Sequence, residues 1–179
     1  MGVSRRRTID VFRILGLVVG LASAAPGYAL PNESPILTIN TTDLNGGAVD
    51  FPGTPGSRRI VVLLGFSHDH QAALDAWKQG LGLTDSQGGW LEMPVIGVGA
   101  APIKAMILGG MRRRFSTVEA RAHMAPAFTN AADLARRLRL DPHQPAALVV
   151  GPTGQVFAAV SGGYAPAKAA SVTRALAGL

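Results

Sequence analysis

The stretch RRIVVLLGFSHDHQAALDAW, residues 58–77, passes from an apolar run into a polar turn and then into a second, differently spaced apolar pattern. Within it RIVVLLGF (59–66) is almost continuously apolar and rich in β-branched residues. A strand buried on both faces of a parallel sheet needs that composition. QAALDAWKQGL, which follows, sets Leu74, Trp77 and Leu81 at helical spacing. A buried strand therefore ends at Phe66 and a helix starts within a few residues. The turn between them holds Ser67, His68, Asp69, His70 and Gln71, and the chain contains no cysteine.

Working outward, the same alternation continues. PILTIN (35–40) reads as a short strand, and the turn-rich segment after it holds a small hairpin around Asn45-Gly46. MPVIGV (93–98) is a second buried strand. APIKAMILGGMRRRF places Ile103, Met106, Ile107 and Met111 on one helical face, with Arg112, Arg113 and Arg114 at the C-terminal end, where positive charge suits the helix dipole. MAPAFT (124–129) is a short strand, and Asn130 is an N-cap for AADLARRLRL. AALVV (146–150), GPTG and QVFAAVS (155–161) form a hairpin, and APAKAASVTRALAGL closes the chain as an amphipathic helix. Parallel βαβ units followed by an antiparallel hairpin and a last helix predict an α/β fold, with a mixed central sheet between two helical layers. Trp77, Ile107 and Leu138 are expected in the core.

The first 29 residues read as a signal peptide. SRRRTIDVFR is a basic n-region, ILGLVVGLASAA an apolar h-region of 12 residues, and GYA a small-x-small cleavage site ending at Ala29. An uncleaved anchor is the competing reading, but the apolar run falls short of the roughly 20 residues a bilayer span needs. Residues 30–58 then form an N-terminal extension with short strands, and 59–179 the main domain. The expected location is extracytoplasmic, in the periplasm or its equivalent. Of 17 basic and 11 acidic residues the leader takes four and one, leaving 13 and 10, a net charge of +3. That balance, with no aromatic residues interleaved in the Arg112–Arg114 cluster, argues against nucleic acid as a partner.

Chemistry is sparse. Zero cysteines exclude disulfides, thiolate ligands and thiol catalysis. His68 and His70, two apart on an extended segment, share a direction. With His143 as a third ligand they would make a copper or zinc site. The plainer account is a helix N-terminus capped by Asp69 with solvated histidines, and no cofactor. The glycine-rich LNGG, SQGGW and SGGY lack the context and lysine of a phosphate loop. GFSHD lacks the flanking glycines of a nucleophile elbow.

Two segments carry a resemblance to the thioredoxin-like superfamily, over residues 35–179. VVLLGFSHDHQAALDAW looks like the strand and active-site helix of that family. The family's two cysteines would fall on Gln71 and Leu74 here. QPAALVVGPTGQV is similar to the family's proline-strand-turn-strand segment, with Pro145 in the place of its cis-proline and Gly154 at the turn. The spacing of Phe66, Gln71, Leu74 and Trp77, followed by MILGGMRRRF, resembles a cysteine-less branch that includes exported bacterial proteins and a mitochondrial ATP synthase assembly factor. The resemblance implies a thioredoxin-like three-layer α/β/α fold, a cis Gln144-Pro145 bond, and a surviving groove at Ser67, His68, His70, Gln71 and Pro145. Without a thiolate and a resolving thiol, exchange chemistry is impossible. The expectation is an exported, non-enzymatic binding or assembly protein for a protein or peptide partner in the cell envelope. A metal-binding protein using His68 and His70 is the alternative.

Overall fold

The computed structural model describes residues 34–53 and 58–178. Two short strands come first, β1 (Ile39–Thr42) and β2 (Ala48–Phe51), paired antiparallel around a turn at Asp43–Gly47. The hairpin expected at Asn45-Gly46 is therefore present, while the first strand starts at Ile39 rather than Pro35. Ile36 makes only an isolated bridge, to Gln155.

The apolar run of the opening stretch is β3 (Ile60–Gly65), the middle of a five-stranded sheet. It is followed by a single 3-10 turn, His68–His70, and by α1 (Gln71–Leu81). Strand β4 (Trp90–Ile96) pairs parallel with β3. A 3-10 segment, Val98–Ile103, leads into α2 (Lys104–Arg114), then α3 (Val118–Ala122) and β5 (Ala127–Phe128), which pairs parallel with β4. Helix α4 (Ala131–Leu138) precedes the hairpin β6 (Ala146–Val150) and β7 (Val156–Ser161), and α5 (Pro166–Ala177) ends the described chain. The sheet order is β5-β4-β3-β6-β7, with β6 antiparallel to both β3 and β7.

Side chains alternate across a strand, so a strand covered on both faces sends its residues into two cores. In β3, Val61 and Leu63 join Leu74 and Trp77 of α1, Ala147 and Val149 of β6, and Ala169 and Val172 of α5. Val62 and Leu64 point the other way, to Met93, Val95, Leu134, Leu138 and Leu148. The extension belongs to this second core as well, through Leu37, Ile39 and Phe51. A methylene buried at these sites contributes about 0.8 kcal/mol.

Local signals explain the boundaries. Asn130 Oδ1 accepts from Asp133 N at 3.0 Å, the expected cap of α4. Helix α1 stops at Gly82, whose φ of 65° lets Leu83 N donate back to Lys78 O. Gly154, also at positive φ, turns the β6–β7 hairpin, and a Cβ there would collide with the Leu37 carbonyl.

Three expectations are corrected. The Gln144–Pro145 bond is trans; the cis bond among the described residues is Phe51–Pro52. The chain turns before Pro145, where Gln144 N donates to Asp141 O and His143 N to Asp141 Oδ1, and β6 starts at the next residue, Ala146. Ile107 is only half-buried, and no residue of α2 is buried. Its apolar stripe borders open space rather than the sheet. Asp69 does not cap α1: Ser67 Oγ accepts from Asp69 N at 3.3 Å and caps the 3-10 turn that holds Asp69, and α1 starts after His70 without a side-chain cap.

Candidate functional site

Strands β3 and β4 run parallel, and beyond their carboxyl ends lies a cavity of about 560 Å³. Open α/β sheets bind ligands in that place, and the size is typical of ligand pockets. Gly65, Phe66, Ser67 and His68 form one side as the chain leaves β3. Pro94 to Gly97 form a second as it leaves β4. Met106, Ile107, Gly110, Met111, Arg114 and Phe115 of α2 and its end form the roof.

The floor is polar and closed on itself. Glu92, in the middle of β4, is 2% exposed. Its Oε1 accepts from Gln71 Nε2 at 3.0 Å and its Oε2 from Lys78 Nζ at 2.8 Å. Lys78 also pairs with Asp75 at 2.7 Å, and Gln71 Nε2 reaches Asp75 Oδ1 at 3.2 Å. A buried carboxylate is stable only when paired and hydrogen-bonded. Burial pulls the Lys78 ammonium down, but hydrogen bonds from it to Asp75 and Glu92, and their charges, outweigh that and hold it above the ordinary lysine value. Burial pushes the Asp75 carboxyl up. Hydrogen bonds from Lys78 and Gln71, with the charges of Lys78 and Arg114, outweigh it and hold the group below the ordinary aspartate value.

The expected site residues separate. Ser67, His68 and Gln71 line the cavity; His70 and Pro145 do not. His70 turns inward, its Nδ1 accepting from Phe66 N at 3.2 Å. Pro145 is buried and its carbonyl accepts from Gly162 N at 2.7 Å, which continues the β6–β7 pairing by one residue. Trp77 Nε1 donates to the Gly162 carbonyl and fixes the loop after β7 from beneath. His143 is exposed on the turn before β6. Among the described residues no three His, Asp or Glu side chains are grouped to hold a metal ion, so His68, His70 and His143 do not assemble one.

The Arg112–Arg114 cluster also divides. Arg112 Nε donates to Leu44 O at 2.8 Å, tying α2 to the turn between β1 and β2. Arg113 is exposed, and Arg114 lines the cavity.

Sequence reasoning missed Glu92, Lys78 and, apart from Arg114, the part the roof residues play in a site. The signal for Glu92 was present in WLEMPVI, a single acid inside an apolar strand. Starting that strand at Met93 placed the glutamate outside it.

No family model and no curated protein matches the chain. Solved structures match it in fold. BsSco, a member of the Sco family of cytochrome c oxidase assembly proteins, is 12% identical over 83% of this chain and 96% of that one, with a TM-score of 0.54. An exposed lipoprotein thioredoxin of Streptococcus pneumoniae strain TIGR4 is 9% identical over 80% of this chain and 100% of that one, at 0.51. A yeast Sco protein with copper bound is 13% identical over 82% and 94%, at 0.50. At these identities the likeness establishes the fold: the chain is a thioredoxin-like α/β/α protein with a mixed five-stranded sheet.

Proposed function

We propose that the chain is an exported, non-enzymatic binding or assembly protein of the cysteine-less thioredoxin-like kind, which holds an apolar segment of a protein partner in the cell envelope. The observation that carries this is the cavity beyond β3 and β4. Its roof is apolar except for Arg114, and the carboxylate of its floor, Glu92, is already paired with Lys78. Such a site offers burial to an apolar side chain and no thiolate to a substrate, with the Ser67 hydroxyl and the His68 imidazole at its wall. The two positions where thioredoxin-like enzymes carry cysteines support the same reading. Gln71 is held by Glu92 and Asp75, and Leu74 is buried. Export rests on the leader, whose residues lie outside those described. No described helix is long and apolar enough to cross a membrane. The assembly role draws on the Sco protein of similar fold.

Photocrosslinking in the living cell tests the proposal. A benzophenone amino acid replaces Met106 at the cavity roof, or Val118, an exposed apolar residue that does not line it. A discrete envelope protein crosslinked from position 106 and absent from position 118 is expected. Equal yields from both positions, or none from 106, would overturn it.

A further inference from the structure

Resting on that reading, we infer that the captured segment carries an acidic residue beside its apolar side chains, and that Arg114 receives the carboxylate. The cavity walls take apolar groups: Phe66, Ile107, Met111 and Phe115 face it, and Met106, 66% exposed, extends it outward. Of the three charges of the floor only Glu92 lines the cavity, and Lys78 holds it at 2.8 Å; Lys78 and Asp75, paired at 2.7 Å, lie outside the lining. Arg114 differs. Among the described residues its side chain makes no hydrogen bond or ion pair, and its aromatic neighbour, Phe115, has its ring centre 6.0 Å from the guanidinium. Its charge reaches Asp75 only at a distance. The other two arginines of the run do not share this position: Arg112 is committed to the Leu44 carbonyl, and Arg113 does not line the cavity.

Arg114 is exposed, and a guanidinium without a partner at the rim of a largely apolar cavity sets the complement a ligand must supply. Guanidinium binds carboxylate through two parallel hydrogen bonds, and such pairs strengthen where apolar neighbours exclude water. A wholly apolar segment would bury part of Arg114 against nothing, at a desolvation cost. A basic segment would add repulsion. An acidic residue next to two or more apolar ones satisfies wall and charge together. A protein segment is the source that fits the half-exposed roof, since Met106 offers contact outside the cavity as well as within it.

The test is panning of a displayed dodecapeptide library against the purified protein, followed by titration of the enriched peptides. The expected consensus is apolar residues flanked by Asp or Glu. Replacing that acid by its amide, or Arg114→Gln in the protein, should each weaken binding about tenfold, with no further loss when both are made. Met106→Glu, at an exposed position that the fold tolerates, should abolish binding. Peptides that lose affinity on Met106→Glu but not on Arg114→Gln would overturn this inference and leave the apolar cavity reading standing. Peptides indifferent to both variants would remove both. Decanoate displacing the peptide with equal dependence on Arg114 would reassign the site to a small amphiphile.

Discussion

Glu92 and Lys78 make opposite contributions to an ion pair, and cutting it from either side should cost unequal amounts. Glu92 is 2% exposed and has two partners, Gln71 and Lys78. Lys78 is more accessible and keeps Asp75 at 2.7 Å if Glu92 is neutralised. Glu92→Gln therefore removes one charge-assisted hydrogen bond without stranding a charge, a loss of about 2 kcal/mol. Lys78→Met leaves a buried carboxylate with only the Gln71 amide, so the cost rises to about 3–4 kcal/mol. The double variant should fall short of the sum by about 1–2 kcal/mol, because the second substitution no longer breaks an intact pair. Urea unfolding, read as a midpoint shift at constant slope, measures all three. A Lys78→Met variant milder than Glu92→Gln, or additivity within about 0.5 kcal/mol, would refute the account of the cavity floor. The pH dependence follows from the same groups. Lys78 is held above its ordinary value, so its contribution is complete below about pH 10.4 and disappears as pH rises through the folded-state value. Asp75 is held below its ordinary value, so its contribution is present above about pH 3.9 and disappears as pH falls further. The wild type should lose stability beyond both limits more steeply than the double variant does at the alkaline one.

Gly80 lies inside α1, where a Cβ would collide with the Tyr164 ring that meets Trp77 edge-on at 5.5 Å. Gly80→Ala should lower stability by about 1–2 kcal/mol despite the helix propensity of alanine, and should become stabilising in a Tyr164→Ala background; thermal unfolding of the four proteins decides it. Arg139 caps α4 at a φ of 57°, a conformation that favours glycine, so Arg139→Gly should raise stability by about 0.5–1 kcal/mol in a urea titration. Copper or zinc titrated by calorimetry should show no stoichiometric tight binding that disappears in the His68→Ala/His70→Ala variant, because His70 Nδ1 is engaged by Phe66 N–H and His143 is not grouped with it.

The parts of the fold legible in the sequence were those governed by neighbours along the chain. RIVVLLGF declares a doubly buried strand by composition, Asn130 declares a cap, and Gly154 a turn, because each is decided within a few residues. The cavity was not legible for the same reason reversed. Glu92 and Lys78 are 14 residues apart and meet only when β4 is laid beside β3. The stripe Ile103, Met106, Ile107 and Met111 shows that α2 has an apolar side, but periodicity is the same whether that side packs on a sheet or roofs an opening. Helix α3, five residues long, is too short to display a period. At Pro145 the resemblance pointed to a cis bond, and the bond is trans.

The two positions that carry thiols in related folds are not vacancies here, and this bears on whether redox chemistry can be restored. Gln71 supplies the floor with hydrogen bonds to Glu92 and Asp75. Leu74 is 3% exposed and packs so tightly on the end of β3 that a Cβ on Gly65 would lie 2.9 Å from its Cδ1. Cysteines at both positions would leave Glu92 with Lys78 alone and open a gap beneath Trp77 and Val61, which share the core with Leu74. A large-to-small change of this kind costs about 2–3 kcal/mol, to which the lost Gln71 hydrogen bond to a charged group adds about 1.5–3 kcal/mol. Gln71→Cys/Leu74→Cys should therefore unfold at markedly lower urea than the wild type, and insulin reduction should stay at background because the second thiol would be buried. A double variant as stable as the wild type, with measurable disulfide exchange, would show that the cavity floor is a dispensable replacement for the thiol pair, and the binding role assigned to it would lose its structural basis.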